Sequence, residues 1–279
     1  MTRAGAKSIL GATLHARPAA VAGIFYTDDA LQLAREIGDY LDASGAAEAT
    51  ARPPKLLVVP HAGYGYSGAV AGRAYALLAP WHQRIRRVVL LGPAHRMPVR
   101  GLAAPVAEAF DTPLGRVMLD RDALTALQAL PQVAHDDRPH AHEHSLEVQL
   151  PFLQAVLESF TLAPLLIGDA GPGEVAQVLE RLWGGEETLV VISSDLSHYL
   201  PYAQAQRCDR STVERILAFD GTLTGGDACG ALALNGALRS AARHGLRPRL
   251  LDLRNSGDTA GSRDQVVGYA SIAFETSAP

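Results

Sequence analysis

The fold of this chain is indicated by Leu56-Leu57-Val58-Val59-Pro60-His61, a run of aliphatic residues that ends in a proline and a histidine. Two further stretches repeat this design: Val88-Val89-Leu90-Leu91-Gly92-Pro93-Ala94-His95 and Leu189-Val190-Val191-Ile192-Ser193-Ser194-Asp195-Leu196-Ser197-His198. Short runs rich in β-branched residues and leucine are typical of strands that are buried on both faces. The sequence therefore predicts three buried strands, each followed by a turn and a histidine.

These three histidines are expected to lie close together. If the strands are parallel in one sheet, their carboxyl ends meet at one edge, where open α/β sheets bind ligands. The 34 residues from His61 to His95 fit one β-α-β crossover, which would place the two strands side by side or nearly so. Converging imidazoles predict either a metal site or an acid/base site.

The rest of the chain alternates between strand and helix patterns. One helix is predicted to run to about Leu41, with an N-cap and acidic first-turn residues in Thr27-Asp28-Asp29. Others are predicted from Ser145 to Phe160, from Pro172 to Leu182 and from Asp227 to His244. This alternation predicts a single-domain αβα sandwich with a mixed, mostly parallel central sheet. We expect residues 1–16 to form a flexible lead and residues 17–279 to form the domain.

Composition excludes several classes of function. The chain has 279 residues and a net charge of −4, with acidic and basic residues interspersed, so it lacks the basic face of a nucleic-acid or membrane-surface protein. No stretch approaches the roughly 20 apolar residues of a membrane span. Two cysteines are too few for a disulfide framework, and we expect a cytoplasmic protein. No P-loop, dinucleotide-binding glycine motif or serine-esterase elbow is present.

His61 and His95 are predicted metal ligands, because two imidazoles at neighbouring strand ends suit a metal ion. His198 could be a third ligand or a free general base, and Asp195 is close enough in sequence to orient its imidazole. Asp195 could instead cap a helix. The sequence pattern alone fits both alternatives for His198 and both for Asp195.

Cys229 lies at the start of the helix predicted from Asp227, and the positive end of that helix would lower the pKa of the thiol and favour a metal-binding or nucleophilic thiolate. Alternatively, Cys229 is a small hydrophobic residue that is buried without a chemical role. Cys208, in a charged helix, has no predicted role. The histidines between His135 and His144 do not match a zinc signature and are expected to be mostly solvated, except that His144 is predicted to contact the substrate or support the site.

The sequence resembles the Memo family from about Arg17 to Phe274. Bacterial and archaeal members of that family are called AmmeMemoRadiSam system protein B. The matching motifs are, in order, Arg17-Pro18-Ala19-Ala20-Val21-Ala22-Gly23-Ile24-Phe25-Tyr26, Pro60-His61-Ala62-Gly63-Tyr64-Gly65-Tyr66-Ser67-Gly68, Leu91-Gly92-Pro93-Ala94-His95, Glu143-His144-Ser145-Leu146-Glu147, Ser193-Ser194-Asp195-Leu196-Ser197-His198 and Cys229-Gly230.

This resemblance implies a fold like that of the class III extradiol ring-cleaving dioxygenases. It implies that His61, His95 and Cys229 are the metal ligands, with the cysteine in the place of a dioxygenase glutamate. It also implies that His198 is the acid/base residue, with Asp195 beside it. Tyr64, in the same motif as His61, is grouped with His144 as a residue that contacts the substrate or supports the ligands.

The first functional hypothesis is a metal-dependent oxidoreductase of dioxygenase type that acts on a small substrate, with aromatic compounds in view. Its cofactor would be one redox-active divalent metal, with iron preferred and copper or zinc as alternatives, because a thiolate is a softer ligand than a carboxylate. The second hypothesis is a non-catalytic metal- or peptide-binding partner of AMMECR-type and radical SAM proteins, which the family resemblance implies. The third is a zinc-dependent hydrolase.

Overall fold

The computed structural model describes residues 14–45 and 52–276. In these ranges the strands, in chain order, are β1 (Ala16–Arg17), β2 (Leu56–Val59), β3 (Arg87–Pro93), β4 (Leu102–Ala104), β5 (Ala109–Thr112), β6 (Gly115–Met118), β7 (Val133–His135), β8 (Thr161–Ile167), β9 (Thr188–Ser193), β10 (His198–Leu200), β11 (Leu246–Asn255) and β12 (Val266–Thr276). The α-helices are α1 (Ala30–Asp42), α2 (Tyr64–Tyr75), α3 (Arg121–Ala126), α4 (Leu150–Val156), α5 (Pro172–Leu182), α6 (Tyr202–Leu217) and α7 (Ala231–Arg243).

A mixed nine-stranded sheet flanked by helices forms the main body, as predicted. Its order is β10-β12-β2-β9-β3-β8-β4-β7, and β11 pairs with β12. The central strands β2, β9, β3 and β8 are parallel, whereas β12 is antiparallel to β2 and β4 is antiparallel to β8. Every residue of β2 and β9 is buried, which explains why their sequences are continuous apolar runs rather than alternating ones.

The three histidine-bearing strands are parallel neighbours in the order β2-β9-β3. Strand β9 therefore lies between β2 and β3, although β2 and β3 are the pair joined by the short crossover. The consequence for the site is that the Ser193-Ser194-Asp195 segment at the end of β9 lies centrally, between the segments that carry His61 and His95.

Several element boundaries differ from the prediction. The helix expected from Ser145 to Phe160 is reduced to α4, which follows a turn of 3₁₀-helix at Glu147–Gln149. Pro151 explains the late start, because proline lacks an N–H and is accepted only in the first turn of a helix. The helix expected from Asp227 begins at Ala231, with Gly230 as its N-cap.

Most of the predicted N-terminal lead, residues 1–13, lies outside the described residues. Of the remainder, Ala16 belongs to β1 and pairs with Ala109 of β5. The boundary placed before Arg17 therefore falls inside a strand. None of the helices in the described ranges is both long and apolar enough to cross a membrane.

Candidate metal centre

The site is assembled at the carboxyl ends of the central strands. His61 follows β2, His95 follows β3, and the segment after β9 lies between them. Cys229 comes from the loop before α7, and it is held against the end of β9 by a hydrogen bond from its backbone N–H to the Asp195 carbonyl (3.2 Å). Residues far apart in the sequence are thus brought into one cluster.

His61, His95 and Cys229 form a group whose ligand atoms all lie within 4.8 Å of one another. Nε2 of His61 lies 3.3 Å from Sγ of Cys229. The rings of His61 and His95 have centroids 5.2 Å apart and are steeply inclined, at 71°. Two imidazole nitrogens and one sulfur at such separations could hold a metal ion.

In both His61 and His95, Nδ1 already has a hydrogen-bond partner within the protein. Nδ1 of His61 lies 2.9 Å from Oγ of Ser193, whose own hydroxyl donates to the carbonyl of Ser145 (2.5 Å). Since a hydroxyl has one proton to give, Nδ1 of His61 must be the donor to Ser193. Nδ1 of His95 lies 3.1 Å from the Glu143 carboxylate, which accepts. In the neutral form of either ring, Nε2 is therefore the nitrogen without a proton, the arrangement common for metal-binding histidines.

Glu143 is a buried organising residue that the sequence analysis did not single out. Its carboxylate accepts hydrogen bonds from the backbone N–H groups of His95 (2.5 Å), His144 (2.9 Å) and Ser145 (2.9 Å). Burial alone would raise the pKa of Glu143, but hydrogen bonds from His144, His95 and Ser145 hold it well below its usual range. The available sequence signal was the position of Glu143 between His142 and His144, inside a motif already noted.

Burial lowers the pKa of His61 well below its usual value, and the neighbouring charges of His95 and His144 act in the same direction. The neutral form is the one that can bind a metal. The environment of His61 therefore keeps it in its ligating form.

The electrostatics of Cys229 differ from the prediction. Burial, followed by the charge of Asp195, raises the pKa of the thiol to about 12. The expected lowering fails because desolvation of the thiol and the nearby charge of Asp195 outweigh the hydrogen bond that the Asp195 backbone N–H donates to the sulfur (3.3 Å). Binding of a metal would favour the thiolate directly, since the metal competes with the proton for the sulfur.

Asp195 contacts His61 rather than His198. Its carboxylate accepts the backbone N–H of His61 (2.7 Å), and burial raises its pKa to about 6. The imidazole of His198 is instead oriented by the carbonyl of Leu196, 2.8 Å from Nδ1. The predicted contact between Asp195 and His198 is thus replaced by two separate ones, because the carboxylate turns towards the β2 end of the site.

His198 is half-buried at the start of β10, and its Nδ1 donates to the Leu196 carbonyl, so Nε2 is the nitrogen left for other contacts. Among the described residues, two groups have ligand atoms within 4.8 Å of one another, His61 with His95 and Cys229, and His95 with Glu143 and His144, and His198 belongs to neither. This position separates it from the ligand set of His61, His95 and Cys229.

The His144 ring lies beside those of His61 and His95, whereas the side chain of Tyr64 lies in the core. The His144 ring stacks on His95 (centroids 4.8 Å apart, 19°) and contacts Phe25 (4.6 Å). The Tyr64 ring is buried in the core, and its hydroxyl donates to the Val148 carbonyl (2.7 Å). An aromatic residue such as Tyr64 could have lain either in the core or in the site. Its position at the start of α2 directs the side chain into the core.

The histidines near His144 are not uniformly solvated. His142 is exposed, but His140 is buried, with Nε2 3.1 Å from the Ala103 carbonyl. The prediction that both would be solvated is therefore wrong for His140.

Comparison with known proteins gives consistent matches over almost the whole chain. A family model described as "Memo-like protein" matches residues 17–273. A MEMO1 family protein of Methanopyrus kandleri is 37% identical and covers 92% of this chain and 98% of its own length, and one of Aquifex aeolicus is 35% identical, with 94% and 100% covered. Among solved structures, an uncharacterized protein of Escherichia coli K12 matches with a TM-score of 0.49 and 14% identity, over 79% of this chain and 99% of that one.

Proposed function

The chain belongs to the Memo-like protein family, and from that premise we propose that it is a metal-dependent oxidoreductase whose single metal ion is held by His61, His95 and Cys229. The observation that carries the proposal is the orientation of the two imidazoles. Both engage Nδ1 with protein acceptors, so Nε2 is the nitrogen that each ring has left for a metal, and His61, His95 and Cys229 each offer a ligand atom within 4.8 Å of the others. A loop of solvated histidines would have no reason to share this orientation.

The donor set fits a redox-active divalent metal, with iron as the first candidate and copper or zinc as alternatives. Imidazole suits all three metals, and thiolate suits the softer ones. When bound, such a metal would supply redox and Lewis-acid chemistry at the carboxyl edge of the sheet. Asp195 supports this set by holding the backbone of His61 and the sulfur of Cys229 in place.

In this proposal His198 is the acid/base residue. Its Nδ1 is occupied by the Leu196 carbonyl, so Nε2 is the atom that would accept or return a proton. The rings of Phe25 and His144 form one wall of the site. A small substrate that can pack against rings fits this wall, and aromatic acids and catechols are the first compounds to test.

The ligand assignment is tested by metal analysis of protein purified without oxygen. We expect close to one metal ion per chain, lost in Cys229→Ala because one of three ligands is removed. Cys208→Ala is the matched control, since Cys208 is exposed on α6, away from the site. Unchanged metal content in Cys229→Ala would contradict the assignment.

The reaction is tested by oxygen uptake with a panel of catechols and other aromatic acids. Replacing His198 with Gln is expected to slow turnover about 10²–10⁴-fold, the usual contribution of a general acid or base, while metal content stays unchanged. Tightly bound zinc with no oxygen uptake on any compound would contradict the oxidoreductase proposal and favour hydrolysis.

A further inference from the structure

Two imidazoles of the site converge on one carboxylate oxygen. Nδ1 of His95 and Nδ1 of His144 each lie 3.1 Å from Oε1 of Glu143. The two rings are stacked, with 19° between their planes. Nδ1 of His144 is buried and has no hydrogen-bond partner of good geometry among the described residues, so Glu143 is the group it faces.

The Glu143 carboxylate is fixed in place by the backbone around it. Oε1 accepts the N–H groups of His144 and Ser145, and Oε2 accepts those of His95 and Arg96 (3.3 Å). The carboxylate therefore offers only acceptor atoms to both rings.

We propose that Glu143 is a positioning residue that holds His95 and His144 together in the Nδ1–H tautomer, so that both rings carry an unprotonated Nε2. For His95 this Nε2 is a ligand atom, and this half of the inference rests on the proposed metal-binding function. For His144 it is a hydrogen-bond acceptor on the wall of the site, a second one beside that of His198. The Glu143 side chain thus sets the tautomer of a metal ligand, His95, and of a residue placed to contact the substrate, His144.

The opposite tautomer is disfavoured on simple grounds. A ring with its proton on Nε2 would place the Nδ1 lone pair 3.1 Å from a carboxylate oxygen, so two electron-rich atoms would lie close together without a proton between them. The ring could avoid this only by turning, and for His144 the stacking on His95 and the contact with Phe25 oppose such a turn.

The test is nitrogen-15 NMR of the full-length chain with labelled histidine, kept metal-free at a pH where the rings are neutral. Signals are assigned with His95→Gln and His144→Gln. We expect both rings to be Nδ1–H in the wild type. In Glu143→Gln at least His144 is expected to shift towards Nε2–H, because an amide cannot accept from every donor around it, and Glu143→Asp is expected to restore part of the wild-type pattern.

Metal affinity gives a second readout, by competition with a chelator. Loss of such a supporting group commonly weakens metal binding about 10–100-fold, and we expect this range for Glu143→Gln. Glu180→Gln is the matched control, since Glu180 contacts His244 on the surface (2.8 Å) and should change neither readout.

Either ring in the Nε2–H form in the wild type would overturn the proposal without any variant, whether or not Glu143→Gln folds. The proposal would also be overturned if Glu143→Gln kept the wild-type tautomers and bound the metal with an affinity within twofold of wild type. Because the NMR arm needs no metal, a wild-type chain that fails to bind metal would contradict the proposed function and leave the tautomer result standing.

Discussion

At the scale of single residues, the position of Cys229 depends on Gly230. A Cβ atom at residue 230 would lie 2.6 Å from Cβ of Ser194 and 3.0 Å from the Ser193 carbonyl oxygen. The Gly230 N–H donates to Oγ of Ser194 (2.9 Å), so the loop and the end of β9 are in direct contact. The glycine is required by this close approach and not by its backbone angles, since its φ is −90°.

We therefore expect Gly230→Ala to push the Cys229 loop away from β9. The cost should be about 1–3 kcal/mol of unfolding free energy, the usual range for overpacking, with loss of bound metal. Urea unfolding and metal analysis are the measurements. Gly225→Ala is the control, because a Cβ there meets nothing within 4 Å. Wild-type stability and metal content in Gly230→Ala would show that the contact is not tight.

At the scale of elements, the segment that carries Glu143 and His144 is fastened to the N-terminal strand. Arg17 of β1 donates to the carbonyls of His140 and Glu143 (both 2.6 Å) and pairs with the Glu147 carboxylate (2.6 Å). Glu147 is fully buried and also accepts the hydroxyl of Tyr26 (2.6 Å). This network explains why the 3₁₀ turn at Glu147 faces inward and why two motifs about 125 residues apart act together.

Removal of the Glu147 charge should leave Arg17 buried without a counter-ion. We expect Glu147→Gln to lose about 3–5 kcal/mol of unfolding free energy, as for other broken buried pairs, measured by urea unfolding. Arg17→Met combined with Glu147→Gln should cost less than the two single changes added, because no charge is stranded. Asp111→Asn, in a half-exposed pair with Arg116, is the control and should change little. Additive losses would contradict the coupling.

At the scale of the whole molecule, the fold buries several titratable side chains, among them His61, His140 and Asp195, so the free energy of unfolding depends on pH. Burial lowers the pKa of His140 to about 4 and also lowers that of His61. Folding thus keeps these rings neutral. Their contribution to the free energy of unfolding is lost as the pH falls below about 6.5, because the unfolded chain then binds more protons than the folded one. Asp195 opposes this, because its raised pKa removes stability as the pH rises from about 4 to about 6.

His140→Gln isolates one of these contributions. Glutamine can still donate to the Ala103 carbonyl but does not titrate. Between pH 7 and pH 4 the wild type should lose roughly 3 kcal/mol more than the variant, from the lowering of the His140 pKa alone. Urea unfolding at several pH values measures the difference. His142→Gln, at an exposed position, should follow the wild type, and identical slopes for all three proteins would contradict the assignment.

The sequence by itself predicted the central sheet and the candidate ligands. The runs before His61 and His95 favour buried strands, since they are short, continuous and apolar, and parallel strands bring their ends together. Helix α5 spans Pro172–Leu182, as predicted, and α1 begins directly after Asp29, the last residue of the predicted capping segment Thr27-Asp28-Asp29. Local patterns determined these features because strand and helix periodicity are properties of neighbouring residues.

What the tertiary structure alone decided depends on contacts between residues far apart in the chain. It placed β9 between β2 and β3, turned Asp195 to His61, directed Tyr64 into the core, and buried the thiol of Cys229 so that its pKa rises. It also brought Glu143 to His95, 48 residues away. Side-chain direction, desolvation and hydrogen-bond partners are set by packing, which no local pattern encodes.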